Sequence, residues 1–324
     1  MNLNNKKVLV TGGTGMIGSE VVHQLLEKSA LVKVVSIEDN VSLPDEVEYE
    51  KVDLRYFDVC KKVCDGFDVV FNMAGVKGSP LMTRKRPASF FVPMLQFDTN
   101  MMEAARLADV DWYLFTSSVG VYGDFESPED RLWDLPPSKN DWYAGWAKRI
   151  GEMQAETYSI QYGWDRVSII RPANVFGKKD NFDPETGMVI PSLISRIENG
   201  ESPLTVWGDG SAVRDFIYAK DVAKICCFAV ENEITKPINA GTGVGISIKQ
   251  LTDAILRHTK NKPQVIWDKT KPSGDPRRVL NTQRLEELGF SEYTNFDDAI
   301  SDILEWYHEN KDTVNNRYNS FKEK

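Results

Sequence analysis

The chain is predicted to be an α/β protein, a doubly wound parallel sheet carrying a smaller α/β lobe. Three observations support this. Short apolar strands alternate with helical patterns through the first half, as in a parallel sheet covered on both faces. A glycine-punctuated segment, VTGGTGMIG at 10–18, sits between the first strand and the first helix. Finally, the alternation is broken between Phe176 and Asp215, where Gly and Pro become frequent, and again after Gly241.

The first strand, 7–11, follows from the apolar run Lys7-Val8-Leu9-Val10, and an amphipathic helix follows from Met16 to Leu26. Gly12, Gly15 and Gly18 between them are spaced G-x-x-G-x-x-G. The first glycine admits backbone angles closed to other residues, and the second lets a phosphate approach the main chain. The third lets the helix pack close to the strand. The N–H groups and positive dipole end of the helix, at Met16 and Ile17, then face a pyrophosphate. The pattern predicts a dinucleotide site on a Rossmann-type sheet.

The second strand, 32–37, ends in Glu38-Asp39, about 20 residues past the last glycine. A carboxylate there accepts hydrogen bonds from ribose hydroxyls and repels a 2′-phosphate, which favours NAD over NADP. One of the two acids is expected to be an ordinary loop residue. The third strand, 48–52, leads to Asp53-Leu54 at the adenine edge. The fourth, 68–73, ends at Ala74-Gly75, where cofactors bind. Further strands are expected at 111–117, 166–170 and 237–239. Helices are expected at 16–28, 88–108, 145–162, 189–198, 219–231, 247–259 and 296–309. The NAD-binding Rossmann domain is then 1–175 with about 215–240. The substrate-binding lobe is about 176–214 with 241–310, placed over the carboxyl ends of the strands, and 311–324 is a polar tail.

Composition narrows the class. The chain has 324 residues and a net charge of −9, with basic residues scattered rather than striped, so nucleic acid is not an expected partner. It lacks an 18-residue apolar run and a signal-like N-terminus, which points away from a membrane. Cys60, Cys64, Cys226 and Cys227 form no C-x-x-C pair, and three histidines do not suggest a zinc framework, so no metal is expected. Free thiols fit a cytoplasmic protein.

The motifs TGGTGMIGS (11–19), DL (53–54), FTSSVGVYGD (115–124), RPANVFG (171–177), WGDGSAVRDFIYAKDVA (207–223) and SGDPRRVLNT (273–282) occur in order. With them the chain resembles the extended short-chain dehydrogenase/reductases, in their nucleotide-sugar epimerase/dehydratase branch, from Lys7 to about Tyr307. Segments 87–105 and 178–193 are most similar to those of GDP-fucose synthases, which leans the substrate towards a GDP-sugar.

The resemblance implies a Ser, a Tyr and a Lys as catalytic group. The Tyr exchanges a proton with a sugar hydroxyl while the cofactor exchanges hydride at the same carbon, and the Lys lowers the phenol pKa and binds the nicotinamide ribose. Ser118 matches the Ser and Lys148 the Lys. The tyrosine departs from the pattern. In Y-x-x-x-K both side chains share one helical face, but four residues before Lys148 stands Ala144, and Tyr143 lies five before it. Either a distorted first turn brings Tyr143 into place, or position 144 is vacant and another group or water handles the proton.

Further departures narrow the reaction. Val119-Gly120 replace the acidic pair of the dehydratases, and Gly120 and Met188 replace the Cys and His of fucose synthase epimerisation. Neither reaction is therefore expected. Hydride chemistry at one sugar carbon, C4, remains, as a 4-epimerase with a 4-keto intermediate or as a C4 dehydrogenase or 4-keto reductase. A non-catalytic nucleotide-sugar or NAD-binding protein is the alternative of another class. The resemblance also implies Pro172 in the cofactor site, Asn174, Arg214 and one of Arg277 or Arg278 around the substrate diphosphate, and a helix opening at Val189 to Ser192 under the sugar nucleotide. The tryptophans are expected in core and lobe packing, with a place for Trp207 in the nucleoside pocket as the alternative. A solvated turn beside Asp275 is the other reading of the Arg277-Arg278 pair. A homodimer through helices near 90–107 and 145–160 is implied as well.

Overall fold

A computed structural model describes residues 1–314 apart from 40, 79, 124–126, 128 and 272–273. Residues 315–324 of the polar tail lie outside the described residues, as do Asp124 and Ser273 of two motifs.

Among the described residues, seven parallel strands form the central sheet. In chain order they begin with β1 (Lys7–Thr11), β2 (Leu31–Ser36), β3 (Glu48–Lys51) and β4 (Val69–Asn72). β5 (Trp112–Thr116), β6 (Val167–Pro172) and β10 (Ile238–Ala240) complete it. Across the sheet they lie in the order β10-β6-β5-β4-β1-β2-β3. The order reverses between β1 and β4, and a crevice opens at their carboxyl ends. Thr11 is in register with Asn72 there, so the ends of the two strands are level.

Alternate residues feed opposite faces of the sheet because strand side chains alternate. Val8 and Val10 join one core with α1 (Met16–Glu27) and α7 (Ala219–Glu231). Leu9 joins the other, with α2 (Phe57–Cys64), α4 (Pro87–Leu107) and α5 (Trp142–Tyr162). Both faces are covered, which is why these strands read as nearly continuous apolar runs. A third core lies in the lobe, around α6 (Val189–Glu198), α8 (Ile248–His258) and α10 (Phe296–Asn310). Val314 is buried in it, so the start of the polar tail packs against the lobe.

The lobe is more regular than its Gly and Pro content suggests. β8 (Leu204–Trp207) pairs with β12 (Val265–Asp268). β9 (Val213–Tyr218) pairs with β7 (Asn174–Phe176), β11 (Gly245–Ser247) and β13 (Arg277–Arg278). Two to six residues is too short for periodicity to show. The short helices α2, α3 (Pro80–Lys85) and α9 (Gln283–Glu287) escape sequence reading for the same reason. α5 begins three residues earlier than expected, at Trp142, and runs unbroken to the left-handed cap at Gly163.

Candidate active site

A cavity of about 1560 Å³ runs from the glycine turn across the carboxyl ends of the strands into the lobe. Its floor is the β1–α1 turn. Gly12 has φ +62°, and a Cβ there would lie 2.9 Å from Ala74 Cα, so β1 and β4 approach too closely for any side chain. A Cβ on Gly18 would sit 2.2 Å from the Gly12 carbonyl oxygen, which ties the helix to the turn. Gly15 caps α1 without any side-chain hydrogen bond, so the first N–H groups of the helix point at the cavity. Met16, Ile17, Leu54, Ala74, Gly75 and Pro172 line the same region. This open cradle fits a dinucleotide pyrophosphate.

The two acids after β2 separate. Glu38 lines the cavity, its N–H donating to Ser36 Oγ (3.1 Å) and its carbonyl accepting from Tyr49 Oη (2.5 Å). Asp39 is exposed and pairs with Lys51 at 2.6 Å, outside the cavity lining. Asp53 also lines the cavity. Burial would raise its carboxyl pKa, but the hydrogen bonds and charge of Arg55, at 2.6–3.0 Å, outweigh this and hold it below the usual range.

The waist of the cavity carries Ser118, Ala144 and Lys148. Ser118 caps a short 3₁₀ turn, Val119–Val121, its Oγ accepting from Gly120 N at 3.0 Å. That turn is fastened to α5 by Arg149, which donates to the Val121 carbonyl at 2.8 Å. Buried Glu152, one turn past Lys148, accepts from Ser117 Oγ (2.5 Å) and pairs with buried Arg171 (2.6 Å). Ser118 and Lys148 are thus held by rigid, adjacent supports.

Tyr143 does not join them. α5 is regular at this point, and the Tyr143 ring is about two-fifths exposed, packed edge-on against Phe91. It lines a small cleft that borders the main cavity and shares Asp141, Ala144 and Met188 with it, while Tyr143 itself is not among the residues lining the main cavity. On this regular helix the residue four before Lys148 that lines the main cavity is Ala144.

Lys148 is buried and donates to Asp98 Oδ2 at 2.8 Å. The other Asp98 oxygen accepts from Asn72 Nδ2 (3.2 Å), whose Oδ1 accepts from Thr11 Oγ1 (2.7 Å). Thr11 Oγ1 in turn accepts from the Ala74 N–H (3.1 Å). Sequence reasoning missed this chain. Its signal was a polar residue ending each of two apolar strands, and a lone acid among Met94, Met101 and Met102 on the apolar stripe of α4. Lys77, after β4, reaches across to both oxygens of buried Asp180 at 2.8 Å, bridging sheet and lobe.

In the lobe, Asn174, Val189, Arg214 and Trp207 line the cavity. Asn174 Nδ2 donates to the Asp215 carbonyl at 2.9 Å. Arg214 donates to the Asp275 carbonyl at 2.6 Å, and burial, then the charge of Arg278, lower its pKa. Arg278 lines the cavity and pairs with Asp141 and, at 3.2 Å, with Asp275. Arg277, its neighbour on a strand, is exposed and lies outside the cavity, because successive side chains point to opposite faces. Of the pair, only Arg278 lines the cavity.

Residues 8–241 match the model of the NAD dependent epimerase/dehydratase family. The chain belongs to this family. Among its relatives, a putative GDP-L-fucose synthase of Arabidopsis thaliana is 31% identical over 94% of this chain and 92% of its own length. The UDP-N-acetylglucosamine 4-epimerase of Methanobrevibacter ruminantium, solved with UDP-N-acetylmuramic acid, superposes with a TM-score of 0.81. It is 25% identical, over 94% of this chain and 99% of that one. A Thermus thermophilus UDP-glucose 4-epimerase, solved with NAD, gives 0.79 at 27% identity, over 93% and 99%. Membership of this NAD dependent family supports a nicotinamide cofactor. Among the described residues no helix is long and apolar enough to cross a membrane, and no cluster of His, Cys, Asp and Glu is arranged to hold a metal.

Proposed function

We propose that this epimerase/dehydratase family member is an NAD-dependent nucleotide-sugar 4-epimerase that works through a 4-keto intermediate. One observation carries the reading. A single cavity joins the open helix end at Gly15 to the lobe residues Arg214 and Arg278, with Ser118 and Lys148 at its waist. A sugar joined to a nucleoside diphosphate spans such a cavity: the diphosphate meets the two guanidiniums, and the sugar lies at the waist.

Gly12, Gly15, Gly18 and the first turn of α1 would hold the cofactor, with Glu38 on its adenosine ribose; this favours NAD over NADP. The bound cofactor supplies hydride transfer at the sugar carbon. Ser118 orients the reacting oxygen, and Lys148 donates to the nicotinamide ribose. Asn174 and the α6 N-terminus at Val189 border the diphosphate, and Trp207 the nucleoside. The relationship to GDP-fucose synthases makes a GDP-sugar the favoured substrate. Half-exposed apolar residues on α4 and α5, among them Val92, Leu107 and Met153, support a homodimer through these helices. Ser118, Ala144 and Lys148 line the cavity and Tyr143 does not, which favours a second reading, a C4 dehydrogenase or 4-keto reductase, in which the proton moves in one direction only.

The test is an absorbance spectrum near 340 nm, where reduced nicotinamide absorbs, of purified protein with GDP-, UDP-, dTDP- and CDP-sugars. A rise with one sugar is expected, followed by release of its C4 epimer. A rise with an accumulating keto product selects the dehydrogenase. No rise, but oxidation of added NADH by a 4-keto sugar, selects the reductase. No change in either direction refutes the enzymatic reading.

A further inference from the structure

We propose that Asp98 is the positioning residue of the proton-transfer machinery, and that the Lys148 ammonium it holds exchanges the proton with the sugar oxygen directly. The proposal rests on the hydride-transfer reading above.

The argument begins with the direction of each hydrogen bond. At one end of the buried chain the Ala74 amide can only donate, and it donates to Thr11. Thr11 therefore passes its own hydrogen to the Asn72 carbonyl, which orients the Asn72 amide nitrogen towards Asp98. Asp98 accepts from Asn72 on one oxygen and from Lys148 on the other. An ionised carboxylate accepts both contacts at once, and its pairing with Lys148 Nζ at 2.8 Å favours that form. The chain thus suits an anion at Asp98 facing a cation at Lys148.

The charges around the pair are few. Asp98 and Lys148 are both buried, and the Phe115 ring centroid lies 5.0 Å from Lys148 Nζ. Burial raises the Asp98 carboxyl pKa, and Lys148 and Asn72 oppose that rise. From β5 the buried Tyr113 phenol faces Asp98, its pKa raised by burial, so it stays neutral. From α2 come Cys60, pushed up to about 12, and Cys64, also raised, both by burial. On α5, Glu152 is already paired with Arg171. Lys148 is therefore the cation that balances Asp98.

Lys148 also lines the reaction cavity, on the face of α5 where Ala144 presents only a methyl group. One of its three N–H bonds is taken by Asp98, and the others are available to the cavity. In the reducing direction a bound nicotinamide cofactor would supply hydride to the carbonyl carbon, and the C=O π pair would move onto oxygen. That oxygen takes a proton from Lys148 Nζ; the N–H electron pair stays on nitrogen, and the amine regains its proton from solvent hydronium, which leaves as water. Oxidation runs the same steps backwards. Asp98 touches no substrate and acts by fixing where the ammonium sits.

The test compares full-length wild type with Asp98→Asn and Asp98→Glu. Acetylation of Lys148 by acetic anhydride, mapped by mass spectrometry, reads the amine without any turnover. Removing the carboxylate should raise Lys148 labelling about tenfold or more, because the amine loses the hydrogen bond to Asp98 Oδ2 that holds and shields it. The Glu variant, which keeps the charge, should label within about threefold of wild type. With the sugar nucleotide that changes the 340 nm absorbance, Asp98→Asn should lose turnover about a hundredfold at a KM within threefold. Unchanged labelling and turnover in Asp98→Asn overturn the proposal, as does a Glu variant as reactive as the Asn variant. If the Asn variant does not fold, the Glu variant decides by turnover: a tenfold fall at constant KM supports positioning, and wild-type turnover overturns it. Should no sugar change the absorbance, the function reading fails by itself, and labelling still judges the Asp98–Lys148 pair.

Discussion

The rings of Tyr143 and Phe91 meet edge-on, with centroids 6.4 Å apart and planes at 66°. This contact packs the Tyr143 ring against α4, and the five-residue spacing sets its Cα about 140° round a regular helix from that of Lys148. Edge-to-face pairs contribute about 0.5–1.5 kcal/mol through the ring, not the hydroxyl. Tyr143→Phe should therefore keep turnover and KM within about twofold and leave the melting temperature nearly unchanged. Ala144→Tyr instead puts a phenol on the Lys148 face. Steady-state pH profiles of both variants check this: only Ala144→Tyr should move the alkaline limb. A hundredfold loss in Tyr143→Phe would restore Tyr143 to the reaction.

Gly18→Ala attacks the cofactor cradle through packing alone. The new methyl would have to displace the Gly12 carbonyl, 2.2 Å away, and backbone cannot swing aside as a side chain can. Overpacking of this kind costs about 1–3 kcal/mol. Because the carbonyl belongs to the phosphate turn, NADH affinity should fall at least tenfold, read by fluorescence titration alongside a denaturant melt.

The nucleotide half was legible because its signals are local. A tight glycine turn, an apolar strand and an amphipathic helix each leave a mark within ten residues, and Gly12, Gly15, Gly18 and Glu38 all line the cavity. The choices between neighbours were not legible. Glu38 or Asp39, and Arg278 or Arg277, depend on which way each side chain points, which the pairing with Lys51 and the register of β13 decide. Asp98 was hidden for another reason. Its partners Asn72 and Lys148 lie 26 and 50 residues away and meet only when β4, α4 and α5 are packed. The lobe strands were too short to show a period.

Glu38 gives a cofactor test. Its carboxylate at the end of β2 would face the added charge of a 2′-phosphate, whereas Asp39 is turned to Lys51. Glu38→Ser should improve NADP binding relative to NAD by about tenfold or more. Asp39→Ser should leave the ratio within about twofold. Paired fluorescence titrations with the two reduced cofactors measure both.

The two adjacent arginines should separate just as clearly. Arg278 is buried in the cavity wall between Asp141 and Asp275, while Arg277 is exposed on the other face of the strand. A charge-assisted contact to a diphosphate is worth about 1.5–3 kcal/mol. Arg278→Ala should then weaken GDP and UDP binding at least tenfold by calorimetry, and Arg277→Ala by less than twofold. Equal losses would place the diphosphate elsewhere.

The lobe carries its own acid-sensitive contact. Arg196 binds both oxygens of Glu201, at 2.5 and 2.7 Å, and these hydrogen bonds outweigh partial burial to hold the Glu201 carboxyl below its usual range. A carboxyl lowered in the folded state binds fewer protons folded than unfolded. Its contribution is therefore complete above the unfolded value, about 4.3, and is lost as pH falls through the folded one. Arg196→Met should melt below wild type at pH 7, and the gap should narrow as pH drops below about 4. It should not close completely, because Arg196 also donates to the Thr205 carbonyl at 2.5 Å, a contact without a titrating partner. Thermal melts from pH 7 to pH 3 follow the gap. A gap constant across that range would mean that the Thr205 contact and packing, not the ion pair, account for what Arg196 contributes.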